Sequence, residues 1–150
     1  MMTKPLPSLL ETQNCICINL RQTARAVALN YSKFLAETDL SETQFSILAA
    51  LKQLGPVPMG KFSEALVMDR TTLTRNLRPL KNKDFVKTVP GNDGRTRLVI
   101  IKPSGSVALQ NALPAWQRAQ NRLLNLYGAN EWDELRNNLN LLQNYARADP

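Results

Sequence analysis

Histidine is absent from the 150 residues of this chain. This removes the side chain that most often moves protons near neutral pH, and with it Ser-His and Cys-His catalysis. Cysteine is nearly absent too: the two present, Cys15 and Cys17, lie too close together on a presumed helix to form an ordinary mutual disulfide. A reducing compartment fits that pattern. With two thiols as the only soft ligands in each chain, a zinc site within one subunit is not expected, and no other metal, cofactor or catalytic centre is anticipated. No run approaches the ~18 apolar residues of a membrane span, and the N-terminus lacks the basic stretch and apolar core of a signal peptide. The expectation is a cytoplasmic protein with no membrane partner.

Acidic residues are scarce where basic ones gather. Between Lys61 and Lys102 stand ten Lys/Arg and four Asp/Glu, a net +6 of the chain's total of +7. A hydrophobic content of 43% suits one globular domain with a core of its own. The charge asymmetry therefore marks a surface of that domain, one suited to a polyanion such as double-stranded DNA.

The basic stretch also carries an ordered set of elements. A short helix (Met59 to Leu66) and a tight turn precede a second helix opening at Asp69, and the stretch from Val86 to Ile101 reads as two strands around the dense turn signal Pro90-Gly91-Asn92-Asp93-Gly94. That order is a winged helix-turn-helix. On the second helix Leu73, Leu77 and Leu80 share one face, while Thr71, Thr72, Arg75 and Arg78 point the other way, with Arg70 and Thr74 at the margin. Arginine can bond guanine O6 and N7 through two donors, and threonine can touch a thymine methyl or bond a phosphate. Asp69 is the expected N-cap. Pro79 removes a backbone N–H and should bend or tighten the helix. In the wing, Arg95 and Arg97 alternate with Thr96 along the emerging strand, so both should reach a minor groove or flanking phosphates, with Asp93 bracing the Arg95 guanidinium.

Helical periodicity frames this unit on both sides. Residues 1 to 10 read as a loose arm. Cys17, Leu20, Ala24, Val27, Tyr31 and Phe34/Leu35 then recur at three- and four-residue intervals through a long first helix. Ser41 caps a second helix with Phe45, Leu48, Leu51 and Leu54 as its inner stripe, stopped by Gly55-Pro56. Pro103 opens a long helix with Leu109, Leu113, Trp116, Leu123 and Leu126/Tyr127 along one side, kinked at Pro114. Asn130 is placed as the cap of a last helix whose stripe is Trp132, Leu135, Leu139, Leu142 and Tyr145 or Ala146. The fold class expected is mainly α with a small β-wing: a winged helix-turn-helix DNA-binding unit over 40–103, flanked by a helical dimerisation region, 8–39 and 104–150. The outer stripes need a partner, supplied either by a second subunit in a two-fold homodimer or by the chain's own wing domain.

These residues resemble the MarR family of bacterial winged-helix repressors. The likeness rests on Thr43-Gln44-Phe45-Ser46-Ile47-Leu48, on Asp69 through Leu77, on Asp93-Gly94-Arg95, and on Pro103-Ser104-Gly105. It implies a dimer made by the terminal helices, a pseudo-palindromic operator, and release by a small phenolic or other aromatic effector held between the dimer helices and the DNA-reading unit. Asn92 and Gly94 stand where many members carry more charge, and Lys102 replaces the usual Ser or Thr before Pro103.

Arg21 and Arg25, on the first helix, are candidates to receive an acidic group on such a ligand. In the organic-peroxide-sensing branch a reactive cysteine lies near the start of that helix, in a register like that of Cys17, whereas Glu42 and Phe45 replace the usual tyrosine partners. Cys15 and Cys17 thus pose two alternatives, buried and inert or redox-active. A thiol-dependent enzyme and a winged-helix module that binds no DNA are the readings from other classes. The first lacks a histidine, and the second leaves the Arg75/Arg78 and Arg95/Arg97 pattern without a purpose.

Overall fold

The computed structural model describes residues 9–148, so the arm expected over 1 to 10 lies outside the described residues up to residue 8. Its last two residues begin a short 3-10 helix, Leu9–Asn14. Six α-helices and three strands follow: α1 (Ile16–Leu35), α2 (Glu42–Leu54), β1 (Val57–Pro58), α3 (Met59–Ala65), α4 (Arg70–Asn82), β2 (Val86–Pro90), β3 (Arg97–Ile101), α5 (Pro103–Tyr127) and α6 (Ala129–Arg147). This is a winged helix-turn-helix set among long outer helices.

Local chemistry sets most of the boundaries. Ser41 and Gln44 form a reciprocal capping box at the start of α2, each side chain accepting the other's backbone N–H. Asp69 caps α4 by accepting the Thr72 N–H at 2.8 Å and the Thr72 hydroxyl at 2.6 Å. Pro103 occupies the first turn of α5, where its missing N–H costs nothing. Both α4 and α5 continue through their internal prolines, Pro79 and Pro114.

The cap expected at Asn130 is not there. Gly128, at φ 107°, ends α5 and is also the N-cap of α6, so Asn130 falls inside the helix. Glycine alone adopts that backbone angle without a Cβ penalty, which lets one residue serve both helix ends.

The sheet is antiparallel in the order β1-β3-β2. Val57 and Pro58 pair with Val99 and Leu98, adding a strand that the proline-rich sequence before α3 did not announce. β2 pairs with β3 from Val86 opposite Ile101 to Pro90 opposite Arg97. The turn between α3 and α4 holds a second surprise, Val67 at φ 52°. A β-branched residue is rarely found in that left-handed region, at a cost of roughly 1–2 kcal/mol.

The core lies under the reading unit. Phe62, Ile47, Leu48, Leu51, Leu73, Leu77, Leu80 and Val99 are fully buried, and Ala108, Ala112 and Ala115 bring α5 against them. Each large side chain contributes about 1.5–3 kcal/mol by leaving water. Leu54, expected on the inner stripe of α2, is half exposed, and Ile47 takes the buried position instead. Near the α5 N-terminus, a Cβ on Gly105 would come within 2.2 Å of the Phe85 carbonyl oxygen. The close approach of α5 to the chain entering β2 therefore depends on the absence of a side chain there.

Candidate nucleic-acid interface and adjoining cleft

On α4 the division of faces is sharp. Leu73, Leu77 and Leu80 are completely buried, which fixes the helix's rotation about its axis. Arg70, Thr71, Thr74, Arg75 and Arg78 are consequently exposed. They line an open groove together with Lys81 and Asn82. Those last two were not singled out in the sequence, although the spacing from Arg75 through Arg78 to Lys81 and Asn82 continues the same helical row. Thr72 stands apart because its hydroxyl and amide are both committed to Asp69. Thr74 donates its hydroxyl to the Arg70 carbonyl at 2.7 Å. None of the arginines on α4 is in an ion pair among the described residues, so the row offers unneutralised guanidinium groups to solvent.

The wing tip is built differently from its expected form. β3 begins at Arg97, so Arg95 sits in the turn and not on the strand. Asp93 does not hold the Arg95 guanidinium. Its Oδ1 accepts the Arg95 N–H at 3.1 Å and the Thr96 N–H at 2.7 Å, and its Oδ2 accepts the Thr96 hydroxyl at 2.5 Å. A carboxylate folded back onto nearby N–H groups satisfies the turn locally. It also leaves both wing arginines exposed and without a carboxylate partner among the described residues. Those bonds hold the Asp93 carboxyl below its ordinary pKa, the Thr96 hydroxyl contributing most, as the Thr72 hydroxyl does for Asp69. Gly94, at φ 67°, closes the turn.

Between α1, α2 and α5 opens a cleft whose walls include Val27, Tyr31, Glu42, Phe45, Ala49 and Trp116. A second recess, between α1, α5 and α6, shares Val27 and Tyr31 and adds Leu123, Tyr127 and Trp132. Tyr31 donates its phenol proton to Gln120 of α5. Burial, and secondarily the charge of Glu42, push the Tyr31 phenol's pKa up.

Arg21 and Arg25 line neither space and are exposed on α1. Cys15 is the N-cap of α1 and half-buried, and Cys17 is exposed, so a buried Cys17 is not what the single chain shows. Among the described residues no cluster of carboxylates and thiols suits a metal ion, and no helix is long and apolar enough to cross a membrane.

The outer helices leave much of their apolar surface uncovered. α6 has no buried residue, though Trp132, Leu135, Leu139 and Leu142 are its least exposed positions. Ile16, Leu20, Val27 and Leu29 on α1, Leu126 and Tyr127 on α5, and Leu141 and Tyr145 on α6 are all exposed. The other exposed large apolar side chains among the described residues are Ile18 on α1, Val107 and Leu113 on α5, and Leu54 and Val67.

Comparison with known proteins places this geometry. A family model described as "MarR family" matches residues 40–96. An HTH-type transcriptional regulator, YwoH of Bacillus subtilis, is 28% identical over 82 residues, 55% of this chain and 60% of that protein. The HTH-type transcriptional regulator SarZ of Staphylococcus haemolyticus is 24% identical over 102 residues, 68% of this chain and 69% of the relative. The match to YwoH thus spans about three fifths of that relative's length. Among solved structures, the M. tuberculosis transcriptional regulator MosR in complex with DNA is 30% identical at a TM-score of 0.79, covering 88% of this chain and 96% of that one.

Proposed function

The chain belongs to the MarR family of DNA-binding transcriptional regulators, and from that premise we propose that it acts as a cytoplasmic homodimeric repressor released from a pseudo-palindromic operator by a small organic ligand. The observation that carries the DNA reading is the exposed row Arg70, Thr71, Thr74, Arg75 and Arg78 opposite three fully buried leucines on α4. Arg95 and Arg97 extend this basic surface at the wing. The row supplies base contacts in the major groove and the wing supplies phosphate or minor-groove contacts. Thr72 acts through the Asp69 cap that orients the α4 N-terminus.

Residues 40–103 are the reading unit, and 8–39 with 104–150 the dimerisation region. The apolar stripes of α1, α5 and α6 support this division, because a stripe of this extent is ordinarily covered by a partner. A two-fold axis through these helices would hold two reading heads about one helical turn of DNA apart. The cleft under Trp116 adjoins both regions, so an occupant there would change the separation of the two α4 helices and weaken binding without unfolding the protein.

A salt-dependent shift assay on fragments selected from genomic DNA tests the reading. Binding that weakens steeply with salt and is lost in the Arg75→Ala/Arg78→Ala variant supports it. Binding unchanged in that variant contradicts it.

A further inference from the structure

The cleft between α1, α2 and α5 carries charge of one sign. Glu42 is its one carboxylate, and no Lys or Arg lines it. Glu42 forms no ion pair among the described residues; its recorded bond is the one its Oε2 accepts from the Thr43 hydroxyl at 3.3 Å. The cleft's hydroxyl donors are spent elsewhere: Tyr31 donates to Gln120, and Ser46 donates to the Thr43 carbonyl at 3.0 Å. Among the lining side chains the Gln53 amide and the Trp116 indole N–H remain as donors, both neutral. The rest of the wall is apolar or aromatic, with Phe45 and Trp116 stacked at a centroid separation of 5.8 Å.

An anionic ligand would enter this space to meet a carboxylate and two neutral donors but no cation. A cation would meet an unpaired carboxylate and ring faces. Arg21 and Arg25, which would have favoured an acid, do not reach the lining.

We propose that this cleft binds an apolar cation, an aromatic or alkyl ammonium whose hydrocarbon part lies against Phe45 and Trp116 and whose charge is matched by Glu42. The inference rests on the ligand-release reading above and reverses the acidic ligand that the sequence suggested. Burial, and secondarily the charge of Glu42, push the Tyr31 phenol's pKa up, and the Glu42 carboxylate is the charge that selects the ligand.

Three probes with the same ring test this: naphthalen-2-ylmethylamine, naphthalen-2-ylmethanol and 2-naphthoate, titrated calorimetrically into the full chain. The amine should bind about tenfold more tightly than the alcohol, a difference of about 1.4 kcal/mol, with the carboxylate weakest. Glu42→Gln should bring the amine down to the alcohol's affinity and leave the alcohol unchanged. Glu42→Asp, which keeps the charge, should retain the preference, and Glu134→Gln on the exposed surface of α6 should not alter it. A carboxylate that binds best, an amine that does not bind, or a ranking unmoved by Glu42→Gln overturns the assignment.

Addition of each probe to preformed protein–DNA complexes separates the two readings. Release by the carboxylate and not the amine sinks the ligand class alone. Glu42-dependent amine binding that leaves DNA bound at saturation keeps the ligand class and sinks the release mechanism.

Discussion

Phe45 of α2 and Trp116 of α5 are stacked with their planes within 12° and their ring centroids 5.8 Å apart. One ring belongs to the unit that carries α4 and the other to a long outer helix, so the stack links the DNA-reading region to the helices expected to dimerise. Such a pair contributes about 0.5–1.5 kcal/mol beyond its buried area. It also forms one wall of the cleft, where an occupant would bear directly on the junction.

The dimer is tested by a charge placed in the stripe of α6. Leu139→Asp should convert the dimer to a folded monomer and abolish high-affinity operator binding, since two half-sites must be held together. Sedimentation checks this, and a dimer unchanged by the substitution would place the interface elsewhere.

Arg75→Ala and Arg95→Ala should differ in kind. Loss of Arg75, on the α4 row, should cost about 1–3 kcal/mol and relax preference at particular base pairs. Loss of Arg95, in the wing turn, should weaken all sequences alike and reduce the slope of log affinity against log salt by about one. Anisotropy titrations across operator variants and salt concentrations separate the two effects.

The caps at Asp69 and Asp93 set an acid limit. Both carboxyls have lowered folded pKa values, held down first by a threonine hydroxyl and then by its backbone N–H. Their contribution is therefore present above the unfolded value of ~3.9 and lost as pH falls through the folded one. The amide protons of Thr72 and Thr96, followed by NMR, should shift with midpoints below that value. Midpoints at or above it would mean that the caps do not form in solution.

Oxidant should do little. Cys17 is exposed, yet among the described residues no cation bonds either thiol, and Glu42 and Phe45 stand where tyrosine partners would be. Organic hydroperoxide should leave operator affinity unchanged in the native chain and in the Cys15→Ser/Cys17→Ser variant. Reversible release by peroxide that vanishes in the variant would establish a thiol switch.

What the sequence made legible was what local chemistry decides. The capping residues Ser41 and Asp69, the proline opening α5 and the leucine face of α4 each follow from short-range bonds or from 3.6-residue periodicity. The less legible features depend on contacts distant in sequence or on unfavourable backbone. Val57-Pro58 becomes a strand only because β3 supplies the pairing. Val67 carries a left-handed turn for which glycine would have been the signal. Gly128 displaces Asn130 as a cap because two helices meet without a loop. In the site, the exposed arginine row of α4 was readable from spacing and charge, whereas the placement of Arg95 in the turn was not. The role of Asp93 was not, because its preference for the turn's own backbone over the Arg95 guanidinium depends on the turn geometry. The sign of the cleft's charge was equally hidden, since Arg21 and Arg25 share a helix with Tyr31, and only the packing of α1 against α2 and α5 leaves them off the lining and puts Glu42 on it.

The central claim, a two-fold dimer reading paired half-sites through α4, is tested most directly by selecting fragments from genomic DNA with the native chain and aligning them. The account predicts an enriched inverted repeat with half-site centres about one helical turn, ~10 base pairs, apart, and no enrichment with the Arg75→Ala/Arg78→Ala variant. Recovery of a single unpaired half-site, or the same enrichment with the variant, would contradict it.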